Sequence, residues 1–152
     1  MGSNDNDVDD EFRSIMEGLR TTLPGVQVLF AFLLVMPLQA AFAEISDLQQ
    51  LAYWVAFFGS AAASVLLIAP SAHQRLRAPI TGVERRSKRH VQVAIRLAIA
   101  GTVAFSLALA AAVFLISSLT MSDSVAVVAA LATAAVIGWS WFYIPLVTFE
   151  RR

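Results

Sequence analysis

The sequence predicts an all-α integral membrane protein. Four spans form a helix bundle, both termini lie on the cytoplasmic side, and an amphipathic interfacial helix precedes the first span. Three observations carry this expectation. The 152 residues are 58% hydrophobic and only 14% charged, with a mean hydropathy of +0.69, where a soluble domain carries about 25% charge. The charges gather in residues 5–20, 73–96 and 147–152, separated by nearly uncharged stretches, as expected when the solvent alternates between water and lipid. Finally, all 11 cations fall on one side of those stretches: Arg13, Arg20, Arg75, Arg77, Arg85, Arg86, Lys88, Arg89, Arg96, Arg151 and Arg152. The links at 44–50 and 120–124 hold Glu44, Asp47 and Asp123 instead. The positive-inside rule then places the chain in the cell membrane, multi-pass, with both termini cytoplasmic.

The elements follow in order. Residues 1–8 are polar, acidic and aperiodic, which predicts a disordered tail. In residues 9–23, Phe12, Ile15, Met16, Leu19 and Leu23 recur at helical spacing opposite a charged face, the pattern of a helix lying on a membrane surface; the alternative is a loosely ordered leader. The membrane domain is 24–147. Its first span, 24–43, opens on Pro24, suited to a first helical turn. Pro37 frees the carbonyl of Leu33 and predicts a kink. Ala41-Phe42-Ala43 resembles a signal-peptidase site, but residues 1–23 hold six acids against two arginines, the wrong sign for a leader.

The second span is 51–69, ending before Pro70. A basic cytoplasmic loop covers 71–90. Within it Thr81 and Glu84 have capping-box spacing, so a helix starts near Gly82 and runs into the third span, 91–119. Glu84 and Lys88 form a favourable i,i+4 pair. The fourth span is 125–147, and residues 148–152 are a cytoplasmic tail. Tyr53 and Trp54 read as an outer aromatic belt, and Trp139, Trp141 and Tyr143 as an inner one. Small residues recur every fourth position at Ala52, Ala56, Ser60 and Ser64; at Ala100, Ala104, Ala108 and Ala112; and at Ala126, Ala130, Ala134 and Gly138. Such stripes let helix backbones approach closely in lipid, Gly138 and Ser60 being the most telling. The first span lacks a stripe. Its bulky Phe30, Phe32, Leu33 and Leu34 predict looser packing against lipid or another subunit.

Chemistry is sparse. There is no cysteine, and the sequence has no phosphate loop, paired-histidine spacing or Ser/His/Asp set. Neither enzyme activity, a cofactor, a metal site nor a nucleic-acid partner is expected. The candidates for an ion path or gate are Gln27, Pro37, Gln39, Glu44, Asp47, Arg96 and Asp123. Arg96 lies closest to mid-membrane depth, with Gln27 as a hydrogen-bond partner at similar depth; the plain alternatives are an arginine snorkelling to headgroups and a glutamine joining two helices. Glu44, Asp47 and Asp123 make an acidic outer mouth that attracts cations, or else are solvated link residues. His73 and His90 are candidates for pH sensing, with Arg86 and Arg89 disfavouring a proton on His90. Arg85, Arg86, Lys88 and Arg89 fit anionic lipid headgroups. The partners expected are therefore the bilayer and further copies of the chain.

Four phrases carry a family resemblance: PGVQVLFAFLLVMPLQAAF (24–42), SDLQQLAYWVAFF (46–58), LLIAPSAHQRL (66–76) and RRSKRHVQVAIRLAIAG (85–101). They resemble a family of small actinobacterial four-helix membrane proteins of unknown function. Some of its members are labelled sodium:proton antiporters. The resemblance implies a small cation or proton transporter or a channel subunit. Sodium:proton antiporters of known mechanism are larger and hold aspartates deep in broken helices, whereas no aspartate here lies inside a span. The alternative is a non-transporting membrane accessory or lipid-organising protein, favoured by the uncharged span interiors and alanine-rich faces.

Overall fold

The structure, a computed structural model, describes residues 3–81, 88–144 and 147, with side chains at all of these except 3–12, 15, 41, 74–81, 88 and 90. It is all-helical over the described residues: α1 is Ser3–Val35, α2 Asp47–Thr81, α3 Lys88–Thr120 and α4 Asp123–Ile137. Two short 3₁₀ turns, Met36–Leu38 and Ala40–Glu44, link α1 to α2, and a π-helical segment, Gly138–Tyr143, extends α4. Four stretches are long and apolar enough to cross a membrane: Met16–Leu38, Asp47–His73, Val91–Thr120 and Asp123–Tyr143. Only 11–28% of each apolar window is buried within the chain. So much uncovered apolar surface is far beyond the patches of a few hundred Å² that soluble monomers show.

Several element boundaries differ from the expected ones. The described part of the tail, the interfacial segment and the first span as far as Val35 form one helix that begins at Ser3. Pro24 therefore lies inside α1 rather than in a first turn. Just before it the hydroxyls of Thr21 and Thr22 donate to the Gly18 carbonyl, at 2.8 and 3.0 Å. Pro70 does not end α2, which continues to Thr81 and shortens the basic loop from its leading side. One proline removes a single ladder bond, at the Leu66 carbonyl, and the helix-forming residues on both sides carry the backbone through. The helix start near Gly82, the Glu84–Lys88 pair and the tail 148–152 lie outside the described residues.

Pro37 stops α1 rather than kinking it. Val35 is the last α-helical residue, Pro37 sits in the first 3₁₀ turn, and Gln39 is extended at φ −82° and ψ 138°. The Gln39 N–H still donates to the Met36 carbonyl, and Phe42 N–H to the Gln39 carbonyl. At the far end of α4, the Ser140 hydroxyl donates to the Val136 carbonyl at 2.7 Å. That is the carbonyl the Ser140 N–H would use in an α-helix, and such competition loosens the ladder into a wider turn.

The chain divides into two compact units: residues 1–30 with 60–105, and residues 31–59 with 106–152. In the first, Leu19 and Val26 of α1 pack with Ala63 and Leu67 of α2, flanked by Ala98, Ala104 and Phe105 of α3. Val91 and Ala94 make a smaller cluster with Met16. The expected apolar stripe of residues 9–23 thus covers neighbouring helices, through Met16, Leu19 and Leu23. A close approach is made at Gly101, where an added Cβ would lie 2.7 Å from Leu67 Cγ and 3.3 Å from Leu66 Cβ. Gly138, expected to mark a close approach, has nothing within 4 Å of an added Cβ.

The small-residue faces are partly used. Ala56, Ser60, Ala108, Ala112 and Ala126 are buried, whereas Ala100 and Ala134 are exposed. Nor is the first span free of packing: Leu33 is fully buried and Phe30 half-buried, with Phe32 and Leu34 exposed. Several hydroxyls within the helices bond locally. Thr102 donates to Ala98 O, Ser64 to Ser60 O and Thr133 to Ala129 O, each one turn back. Among the described residues no buried side-chain nitrogen or oxygen lacks a partner, the condition that a chain in lipid would have to meet.

Gly101→Ala is expected to lower the thermal midpoint of the detergent-solubilised protein, at a cost of about 1–3 kcal/mol, because Leu67 is too enclosed to move aside. Gly138→Ala is expected to leave that midpoint unchanged or raise it, as helix propensity alone favours alanine by about 0.5–1 kcal/mol.

Candidate functional site

The second unit brings hydrogen-bonded fixed points and a cavity together. Its first fixed point is the Leu33 carbonyl. Pro37 has no N–H to give it, and the Tyr53 hydroxyl donates instead, at 3.1 Å in a buried setting. Tyr53 is only 3% exposed, so it is not the belt residue its sequence position implied; Trp54 beside it is exposed. Around Tyr53 stand Phe42, edge-on at 4.8 Å between centroids, Trp54, edge-on at 5.0 Å, and Phe57, stacked at 5.9 Å. Such offset and edge contacts each add about 0.5–1.5 kcal/mol.

A second fixed point is a capping box that the sequence carried unrecognised, Ser46-Asp47-Leu48-Gln49. The Ser46 N–H donates to Gln49 Oε1 at 2.9 Å and the Gln49 N–H to Ser46 Oγ at 3.4 Å. This is the reciprocal Ser-x-x-Gln pattern. The Gln49 Nε2 group then reaches α3, donating to both the carbonyl and the hydroxyl of Ser118 at 3.2 Å. One amide therefore starts α2 and ties it to the last turn of α3.

Between these fixed points lies an apolar cavity of about 330 Å³. Phe32, Val35 and Met36 line it from the end of α1 and the first 3₁₀ turn; Gln39, Phe42 and Ile45 from the link; Leu119 from α3. It falls at the small end of the ~300–1,000 Å³ range of ligand sites. Gln39 is its single polar residue. The Gln39 side chain is exposed, and its amide makes no hydrogen bond among the described residues.

Of the residues singled out from sequence, the structure gathers Gln39 into this cavity, with Pro37 in the turn that shapes it. Glu44 ends the second 3₁₀ turn, next to the lining residue Ile45, and is exposed. Asp47 and Asp123 are exposed in the first turns of α2 and α4, positions where an acid complements the helix dipole without any ligand. Gln27 and Arg96 are both exposed, and no hydrogen bond joins them. His73 and Arg89 are exposed. The side chains of Lys88 and His90, and all of Arg85 and Arg86, lie outside the described residues. No group of three or more His, Cys, Asp or Glu among the described residues is placed to hold a metal ion.

Fold and site together define an all-helical protein with four helices apolar enough to span a membrane. The chain belongs to a family of unknown function, DUF6328, which it matches over residues 2–145. No curated protein and no solved structure matches it.

Tyr53→Phe is expected to destabilise the protein by about 1–3 kcal/mol, the cost of leaving the buried Leu33 carbonyl unpaired. In a Pro37→Ala background the new N–H can reach that carbonyl, so Tyr53→Phe is expected to cost less there. A double-mutant cycle on thermal or denaturant unfolding checks this, with about 0.5–3 kcal/mol of coupling expected between two sites that share one acceptor.

Proposed function

We propose that this chain is a multi-pass cell-membrane protein, with both termini and the basic segment around residues 75–96 on the cytoplasmic side, that binds lipid-like molecules rather than catalysing a reaction. The charge distribution supports the orientation: all Lys and Arg lie in residues 13–20, 75–96 and 151–152, and none in the links at 44–50 and 120–124, a bias that the positive-inside rule reads as cytoplasmic. On that side Arg85, Arg86, Lys88 and Arg89 would meet anionic headgroups, each worth about 1 kcal/mol near the surface. The observation that carries the binding role is the apolar cavity with its lone unbonded amide at Gln39. Apolar walls with a single orienting polar group are the make-up of a site for an apolar molecule.

A second reading is cation or proton transport, with a path between copies of the chain. One observation favours it: residues 31–59 and 106–147 hold Glu44, Asp47 and Asp123 and no base, and all three are exposed. Such an end raises the local cation concentration. Among the described residues the buried positions are apolar apart from Ser60, which favours a path outside the chain's own interior.

A reporter inserted after Asp47 is expected to report a non-cytoplasmic position, and one fused to the C-terminus a cytoplasmic position; the reverse result would overturn the orientation. Purified protein in liposomes with sodium and pH gradients is expected to give the flux of empty vesicles across pH 6–9. Flux above that blank, lowered by Glu44→Gln, would replace the binding reading with the transport one.

A further inference from the structure

We infer that the cavity beside Gln39 takes the tail of a cationic amphiphile, a molecule with one apolar chain and an ammonium-type head. This rests on the binding role proposed above and adds the charge of the ligand. Four observations lead to it. The cavity is about 330 Å³, with walls from Phe32, Val35, Met36, Phe42 and Leu119, so it accepts an apolar tail and offers nothing to a polar one. Its lining on α1 runs over residues 32–36, at the end of the apolar stretch Met16–Leu38. In a bilayer that depth is where hydrocarbon gives way to headgroups, so a tail in the cavity leaves its head at the surface.

The head then meets Gln39 and the link. The Gln39 amide is free to bond an ester, amide or hydroxyl group near the head of the molecule. Glu44 adjoins the lining residue Ile45, Asp47 follows two residues later, and Asp123 lies four residues beyond the lining residue Leu119. These three acids are the only charges in residues 31–59 and 106–147. The acids give this link a negative field, and neither stretch holds a base to offset it. An anionic head is repelled there, a neutral one is indifferent, and a cationic one is attracted. Like charge against an interface is how a site rejects the wrong partner.

Phe42 links the cavity to an intrinsic reporter, since it touches Tyr53 and Tyr53 touches Trp54. The chain has three tryptophans; Trp139→Phe with Trp141→Phe leaves Trp54 alone. The full chain carrying these two changes is placed in phosphatidylcholine nanodiscs. It is titrated with a dibrominated dodecyl chain bearing a trimethylammonium, a maltoside or a sulfate head, with concentrations referred to the bilayer. Bromine in the cavity quenches Trp54 saturably. The expected order of affinity is trimethylammonium, then maltoside, then sulfate, with at least a tenfold gap between the first and last.

Val35→Phe with Leu119→Phe, both at exposed positions, fills the cavity and is expected to abolish the saturable phase for all three probes. Val65→Phe, an exposed site in the other unit, is expected to leave it intact. Neutralising the acids with Glu44→Gln, Asp47→Asn and Asp123→Asn is expected to erase the preference among heads while the maltoside still binds. Equal affinity for the three heads in the starting protein, or a preference that survives neutralisation, overturns the inference and leaves the binding role standing. Absence of any saturable phase, or one untouched by filling the cavity, overturns both.

Discussion

A proline without an N–H and a tyrosine hydroxyl that makes good the loss hold the second unit together. Pro37 leaves the Leu33 carbonyl without its partner in the helix, and a buried carbonyl in an apolar medium cannot turn to water. Tyr53 supplies the bond at 3.1 Å, and much follows from that. The tyrosine must be buried, so α2 must bring its first turns against the end of α1. Its ring then gathers Phe42, Trp54 and Phe57 around it. Because Pro37 ends α1, the link can fold into 3₁₀ turns, and these turns create the apolar hollow next to Gln39. Cavity, aromatic cluster and helix end share one cause.

Each unit joins its helices through contacts of its own. In the second, directional bonds cross between elements, at Tyr53–Leu33 and at Gln49–Ser118. In the first, the hydroxyls of Thr21, Thr22, Ser64, Ser71 and Thr102 bond to carbonyls of their own helix. Its helices meet in contacts between Leu19, Val26, Ala63, Leu67 and their neighbours. In a bilayer, where apolar burial would supply little drive between helices, dispersion over closely approaching backbones adds to such contacts. A glycine at position 101 is what permits the approach.

The four apolar helices were legible because lipid-length hydrophobic runs are read from composition alone. The helix ends were less so. Pro24, Pro37 and Pro70 look alike in sequence, yet only Pro37 stops its helix; the difference is the distant tyrosine and the extended turn at Gln39, and neither is local. The freed Leu33 carbonyl was foreseeable from Pro37, whereas its partner was hidden because Tyr53 next to Trp54 reads as an interfacial pair. The box at Ser46 and Gln49 was present in the letters and could have been found by the same spacing that marked Thr81 and Glu84. Gly101 was beyond such reading, since alanine-rich stripes offer many equivalent faces and only the positions of Leu66 and Leu67 select one. Gln39 was legible as a polar residue after a proline, but the hollow it borders needed six other side chains.

The notch at Gly101 has a consequence for sliding. Contacts made only by hydrocarbon groups have no preferred register: a helix moved by one turn along its neighbour exchanges one alanine contact for another of similar strength. Leu67 seated over the missing side chain of Gly101 tells one register from the next. In the first unit, then, a single absent methyl group acts as a vernier for how far α2 has travelled along α3.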